Sequence, residues 1–332
     1  MIKIDKPIDT IAIFITTKCN LECKYCYIKK TNIDMSLETA KNSVILLSNS
    51  PGRSKELHFF GGEPLLRFNF IKKIVEFSKS IDNKIKFKIT TNATLLDKEI
   101  IGFLKSNNFD IVLSIDGMEE TNNFSRINKE KIGVFDDIMK SIELIKKNKI
   151  DFSVSCVVHP VQSKNIFNNL NFLMKLGAKD IHISPAVMIA WDEEDSERYV
   201  WENKKFTRFL RQNREGYKSN FIFDSENEEH QNDKAYCPLT KELSITPRGD
   251  ITLCPVFMRF AVMPKRFVIG NVNAGFNQRY RDCKYNEYSK TCHNCFSKNY
   301  CHKFCQVYDI KNQTPVCKLN SKIIKELKNE NT

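Results

Sequence analysis

Three cysteines stand close together near the N-terminus, in "FITTKCNLECKYCYIKK", residues 14–30. Cys19, Cys23 and Cys26 follow a C-x3-C-x2-C spacing. Thiolates are soft ligands that suit zinc and iron–sulfur clusters. A structural zinc site closes with four ligands, so these three would have to borrow a distant fourth. On a [4Fe–4S] cube, three thiolates leave one iron open, and an open iron can bind and reduce a small molecule. The spacing alone leaves both readings standing.

A second motif is "HFFGGEPLL", residues 58–66. Gly61 and Gly62 let backbone approach a ligand closely, Glu63 adds an acceptor, and Pro64 fixes the turn. Alone it reads as an ordinary strand-end turn; its place after a second strand, with the cysteines after a first, gives it weight.

Further cysteines crowd the C-terminal third. Cys237 and Cys254 read C-x11-G-x4-C around Gly249. Cys292, Cys295, Cys301 and Cys305 read C-x2-C-x5-C-x3-C, with Cys317 beyond them and Cys283 to spare. The C-x2-C pair could also hold zinc with His293 or His302. Cys156, inside "SVSCVV", reads as a buried core residue.

The 332-residue chain is long enough for a large barrel or two domains. At 41% hydrophobic and 28% charged residues it has an ordinary globular composition. No apolar run approaches the ~20 residues of a membrane span, and the opening "MIKIDKPIDT" is no signal peptide. The expectation is a cytoplasmic protein away from membranes. Twelve cysteines in a reducing compartment point to metal or cluster ligation before disulfides. The net charge of +12 is spread along the chain without a long Lys/Arg block. It reads as a generally basic surface, not a nucleic-acid site. Three bound clusters would themselves remove about five charges.

The elements that must position these residues alternate. Strands are expected at 10–17, 56–60, 85–91, 109–116, 151–158 and 180–186, each followed by a helical pattern. Ser36 is a candidate N-cap with Thr39 at N3, and Leu37, Ala40, Val44 and Leu47 recur at helical spacing. Phe70, Ile74 and Phe77 mark one face of the next helix. A helix after the sixth strand is expected between about 194 and 217. Six β-α units imply a parallel sheet with right-handed crossovers. Eight would close a barrel, so six predict a partial (β/α)6 TIM-like barrel with ligands at the C-terminal ends of its strands. That rim collects Cys19 to Cys26, Gly61 to Pro64, Thr90 to Asn92, Ser114 to Gly117 and Pro185. The expected organisation is a barrel over 1–205 and a helix and linker over 206–234. A small cysteine-rich, metal-stapled domain over 235–320 and a C-terminal helix and tail over 321–332 complete it.

Over residues 10 to about 190 the sequence resembles the radical S-adenosylmethionine (SAM) enzymes. The resemblance implies that Cys19, Cys23 and Cys26 ligate a [4Fe–4S] cluster whose open iron is chelated by SAM. Tyr25 matches an aromatic near the adenine, and Gly61, Gly62 and Glu63 match the segment that receives the SAM amino group. "TTNATLL" resembles the end of the third strand, with Ala93 where glycine is usual. Ser114 and Asp116 are implied near the ribose, and Arg126 opposite the SAM carboxylate; a solvated loop arginine is the competing reading. A cluster electron would split SAM into methionine and a 5′-deoxyadenosyl radical that abstracts hydrogen from substrate.

The C-terminal cysteines resemble a SPASM domain, which holds two auxiliary [4Fe–4S] clusters. By position, Cys292, Cys295, Cys301 and Cys317 would hold the outer cluster, and Cys237, Cys254 and Cys305 the inner one. The inner set is one ligand short, to be completed by Cys283 or by substrate.

SPASM-type enzymes mostly act on peptides or proteins, so three functions are weighed. The first is cross-linking of a ribosomally made peptide. The second is sulfatase maturation to formylglycine, which the resemblance disfavours: Pro255 stands where sulfatase maturases carry an aspartate base. The third is a non-enzymatic electron carrier, which would have no use for a SAM-binding turn. The expected partners are a peptide or protein substrate and a low-potential donor of the flavodoxin or ferredoxin kind; the peptide is read either through a separate peptide-recognition protein or directly. An acidic leader would suit the basic surface, with salt-sensitive binding.

Overall fold

The computed structural model describes residues 7–52, 54–186, 189–212, 220–223, 242–253, 255–260 and 263–277. The parallel strands β1 (Thr10–Phe14), β2 (Glu56–Phe60), β3 (Lys86–Thr91), β4 (Asp110–Ser114), β5 (Phe152–Val158) and β6 (Asp180–Pro185) pair in sequence order. The helices between them are α1 (Leu37–Ser48), α2 (Phe68–Ile81), α3 (Lys98–Ser106), α4 (Glu119–Ser125), α5 (Phe135–Lys147) and α6 (Ile166–Lys175). α7 (Glu193–Gln212) follows β6. This is the α/β arrangement of a partial barrel.

The sheet runs beyond six strands. β7 (Asn220–Phe223) pairs parallel to β6, inside the region expected to hold only a helix and linker. On the other side β8 (Glu242–Ile245) pairs parallel to β1. β9 (Asp250–Thr252), β10 (Gly270–Asn271) and β11 (Gly275–Phe276) extend that edge antiparallel. Residues 242–277 therefore continue the barrel's own sheet. The rest of the expected cysteine-rich domain and the C-terminal tail lie outside the described residues. The helix expected to about 217 is described to Gln212, and α4 is an element the apolar pattern did not announce.

Period two organises the strands. Outward residues such as Ile11, Ile13, Leu57, Phe59, Phe87, Ile89, Leu113, Val154, Ile181 and Ile183 are buried in one hydrophobic core. Each such side chain contributes about 1.5–3 kcal/mol on burial. Phe59, Phe87, Phe103 and Phe109 gather there, with Phe87 and Phe109 stacked at 5.4 Å. The alternate residues His58, Lys88, Thr90, Ser114, Ser155, His182 and Ser184 line the interior cavity. Parallel strands packed on both faces usually read as continuous apolar runs. Here the inner face borders an open cavity where polar side chains are tolerated, and the alternation follows.

Local signals agree with the elements. Ser36 caps α1, its side chain accepting from the Thr39 N–H. Ala40, Val44 and Leu47 are buried as the spacing predicts, while Leu37 is exposed. α2 buries Ile71, Ile74, Val75 and Ser78, so the face expected from Phe70 and Phe77 is turned slightly: both are only half-buried. Gly177 ends α6 at φ +80°, the left-handed C-cap. Among the described residues, no helix is long and apolar enough to cross a membrane.

Candidate active site

The cysteines lie on the long loop between β1 and α1, and backbone bonds clamp its two ends. Met35 N–H donates to Ile15 O at 2.9 Å and Thr17 N–H to Ile33 O at 2.9 Å. The Arg67 guanidinium donates to Ile15 O at 3.0 Å and to Met35 O at 2.7 Å, stapling both ends at once. The middle is tied to the end of α4 and the segment after it: Lys24 N–H donates to Ser125 O at 3.0 Å and Glu22 N–H to Ile127 O at 2.7 Å. Cys19 and Cys23 are half-buried and Cys26 is exposed.

The turn after β2 presses against this loop. Gly62 N–H donates to Thr16 O and Glu63 N–H to Lys18 O, each at 2.9 Å. A Cβ on Gly61 would sit 2.5 Å from Thr16 O, and one on Gly62 would sit 2.1 Å from Lys18 O. Only glycine permits that approach. Glu63 is fully buried. Its Oε1 accepts from Leu65 N–H at 3.0 Å and the Thr91 hydroxyl at 2.7 Å, and its Oε2 from Asn92 N–H at 2.8 Å. Burial nevertheless pushes its pKa up to about 7, against the pull of those donors. Ala93, where glycine was expected, adopts φ +66° with its methyl buried.

A third group is built around Asp116, just beyond β4. Its Oδ1 accepts from Arg126 Nη2 at 2.9 Å and Val157 N–H at 3.0 Å, and its Oδ2 from the Tyr25 hydroxyl at 2.5 Å. Arg126 is 5% exposed, so it is no solvated loop arginine. Burial pulls its pKa down, but Asp116, with Tyr25 and Cys23, outweighs this and holds it above the ordinary arginine value. Cys156 is buried as expected, its thiol donating to Asp116 O at 3.4 Å.

One cavity of about 440 Å³ brings these groups together. Cys19, Cys23, Tyr25, Cys26, Gly61, Gly62, Glu63, Ser114 and Arg126 all line it. Asp116 does not; it sits behind Tyr25 and Arg126 and orients both. Sequence reasoning missed the interior wall of His58, Lys88 and His182; it placed Asn92 on the rim but missed its contact with Cys19, to whose Sγ it donates at 3.8 Å. The alternation of β2, β3 and β6 carried the first signal; nothing local carried the second.

A profile of the radical SAM superfamily matches residues 13–173. An uncharacterised protein of Methanocaldococcus jannaschii is 30% identical over 266 residues, 78% of this chain and 87% of that one. The chain belongs to the radical SAM superfamily. A cysteine-type anaerobic sulfatase-maturating enzyme of Clostridium novyi is 26% identical over 59% of this chain, a match spanning 55% of that enzyme. Among solved structures, anSMEcpe with bound AdoMet superposes at TM-score 0.77, 19% identical, over 98% of this chain and 94% of that one. Streptococcus suis SuiB bound to precursor peptide SuiA gives 0.68, 18% identical, over 94% and 74%. At those identities the two superpositions bear on the fold.

As a radical SAM enzyme the chain is expected to use a [4Fe–4S] cluster and SAM, and the donor set fits them. Burial raises the Cys19 pKa and lifts Cys23 to about 12, so both are thiols until a cation displaces the proton. No three His, Cys, Asp or Glu side chains among the described residues gather as a single metal ion needs. A cube takes each thiolate on a different iron, and Cys19, Cys23 and Cys26 all line the one cavity. Arg126 also carries a buried Nε with no hydrogen-bond partner, an unused donor in a residue that lines the cavity. Cys237, Cys254, Cys283, Cys292, Cys295, Cys301, Cys305 and Cys317 lie outside the described residues.

Proposed function

We propose that this radical SAM enzyme modifies a peptide or protein, and specifically that it cross-links a ribosomally made peptide. Cys19, Cys23 and Cys26 would hold the [4Fe–4S] cluster. The turn Gly61–Glu63 would receive the SAM amino group, Arg126 its carboxylate, Tyr25 its adenine and Ser114 its ribose. With both oxygens already engaged, Asp116 serves as a positioning residue for Tyr25 and Arg126. When bound, the cluster and SAM supply a 5′-deoxyadenosyl radical that removes a hydrogen atom from an unactivated carbon. The chain's own part is to hold the reactants in register and to offer the polar interior of His58, Lys88 and His182 to substrate groups.

The observation that carries the choice of reaction is Pro255, which lines the cavity. The position where a sulfatase maturase would keep its aspartate base faces the site and holds a side chain that cannot take a proton. Formylglycine formation stays as the second reading, because a sulfatase-maturating relative matches 59% of this chain. Cys292, Cys295, Cys301 and Cys317 would carry an outer auxiliary cluster. Cys237, Cys254, Cys305 and Cys283 would carry an inner one. A reducing cytoplasm, a low-potential flavodoxin- or ferredoxin-like donor and a separate peptide-recognition protein complete the proposal.

Anaerobic reconstitution tests it. Three clusters load roughly 12 iron atoms per chain, one cluster roughly 4. With SAM and dithionite, 5′-deoxyadenosine should form, and Cys26→Ala should abolish it. Cys-containing peptides encoded beside the gene should lose two hydrogens and keep their sulfur, by mass spectrometry. A hydrazide-reactive aldehyde on such a peptide or on a sulfatase sequence would install the second reading instead.

A further inference from the structure

Asn92 ends β3's run into the site and is 6% exposed. Its side chain is locked. Oδ1 accepts from the Thr94 N–H at 3.0 Å and from the Thr94 hydroxyl at 2.7 Å. A backbone N–H cannot face an amide nitrogen, so this contact fixes which end of the Asn92 amide points where. The two hydrogens of Nδ2 then meet two acceptors, Asn20 Oδ1 at 2.9 Å and Cys19 Sγ at 3.8 Å. Asn20 is held in turn by its own Nδ2, which donates to Thr94 Oγ1 at 2.8 Å. Cys19 Sγ also accepts from the Leu21 N–H at 3.3 Å. One cysteine sulfur thus receives a backbone donor from its own loop and a side-chain donor from the end of another strand.

We propose that Asn92 is a positioning residue that tunes the cluster, its amide raising the reduction potential through the Cys19 sulfur. This rests on the assignment of Cys19, Cys23 and Cys26 as cluster ligands. Reduction adds one electron, supplied by the external low-potential donor, and no bond at Asn92 forms or breaks. The added charge is shared by the ligand sulfurs, so a donor aimed at one of them stabilises the reduced cluster more than the oxidised one. Thr94 and Asn20 matter through their grip on that amide. The arrangement makes the cluster easier to reduce and couples its potential to the strand end that also carries the Glu63 contacts.

The test uses the anaerobically reconstituted full chain and a readout other than turnover. The midpoint potential is read by EPR at set potentials, on the cluster signal that changes when SAM is added. Asn92→Asp keeps the shape and the Thr94 contacts but replaces the donor with an acceptor. Its equilibrium constant for reduction should fall about tenfold, about 59 mV for one electron, at wild-type iron content. Asn92→Ser separates the lost donor from the added charge and should shift the same way by less. Thr94→Val, which frees the amide to turn, should fall between wild type and Asn92→Ser. A purely structural role would lower iron content and leave the midpoint of the remaining cluster unmoved. Unchanged midpoints in Asn92→Ser and Thr94→Val at full iron overturn the inference, even where Asn92→Asp does not load. A wild-type protein without a SAM-responsive cluster overturns the ligand assignment instead.

Discussion

Glu63 shows how one side chain serves two ends. Its backbone sits in the turn that meets the cysteine loop, and its carboxylate holds the end of β3 through Thr91 and Asn92. The carboxyl titrates near 7 in the folded chain against 4.5 ordinarily, because burial outweighs its three donors. A raised acid pKa means that the folded state holds the proton longer. Its stabilising contribution is full below pH 4.5 and is lost as the pH climbs to 7, a span of about 3 kcal/mol for this one group. Glu63→Gln removes that slope. Denaturant midpoints of the cluster-free protein at pH 5 and pH 8 should show a smaller acid-to-alkaline loss in the variant than in the wild type. Equal losses would mean that Glu63 is already ionised at pH 5.

At the scale of elements, the loop between β1 and α1 depends on a residue outside it. Arg67, at the end of the 3-10 turn after Pro64, donates to the carbonyls of Ile15 and Met35, which bracket the cysteine segment. Arg67→Met keeps much of the stem and removes both bonds, each a charge-assisted contact of about 1.5–3 kcal/mol. Hydrogen exchange should quicken in residues 16–34 while the amides of β3 to β6 stay protected, and iron content should fall. Uniform protection with full iron would show that the backbone bonds suffice. This staple was not legible in the sequence, because its partners are carbonyls, which no side-chain pattern reports. What was legible shares a simple cause. The six strands carry β-branched or aromatic residues at alternate positions, and Ser36 and Gly177 are local caps whose effect needs no tertiary context. α4 escaped because its buried residues, Thr121, Asn122 and Ser125, are polar and make no apolar period. β7 and β8 escaped because four residues are too few to carry a pattern. The rim cysteines and glycines were found because their residue types are themselves the signal. The Asn92 bond to Cys19 was not, since Asn92 and Cys19 meet only when β3 and the β1 loop are side by side.

At the scale of the molecule, the sheet order decides what the C-terminal segment is for. β1 lies between β2 and β8, so the strand that launches the cysteine loop has one neighbour 46 residues downstream, from Thr10 to Glu56, and another at Glu242. Without β8, the backbone of Thr10 to Ile13 would present an open edge beside the cysteine loop, a template for pairing with another chain. Ile245 and Ile251 are fully buried against the same core as Ile11 and Ile13, so the segment also covers apolar surface. The loop itself reaches across: Lys29 N–H donates to Met258 O at 3.0 Å. A chain ended after Phe223 therefore loses one side of β1, part of its core and a contact of the cysteine loop together. Such a truncation should yield little soluble monomer by size-exclusion chromatography and should lose cooperative unfolding. The comparison chain ends after Asn277 and keeps β8 to β11; it should stay soluble without aggregating and fold cooperatively even without the cysteines beyond. A soluble, cooperatively folding chain ending at Phe223 would show that β1 needs only β2. A failure of both would place the missing stability beyond residue 277, among the remaining cysteines.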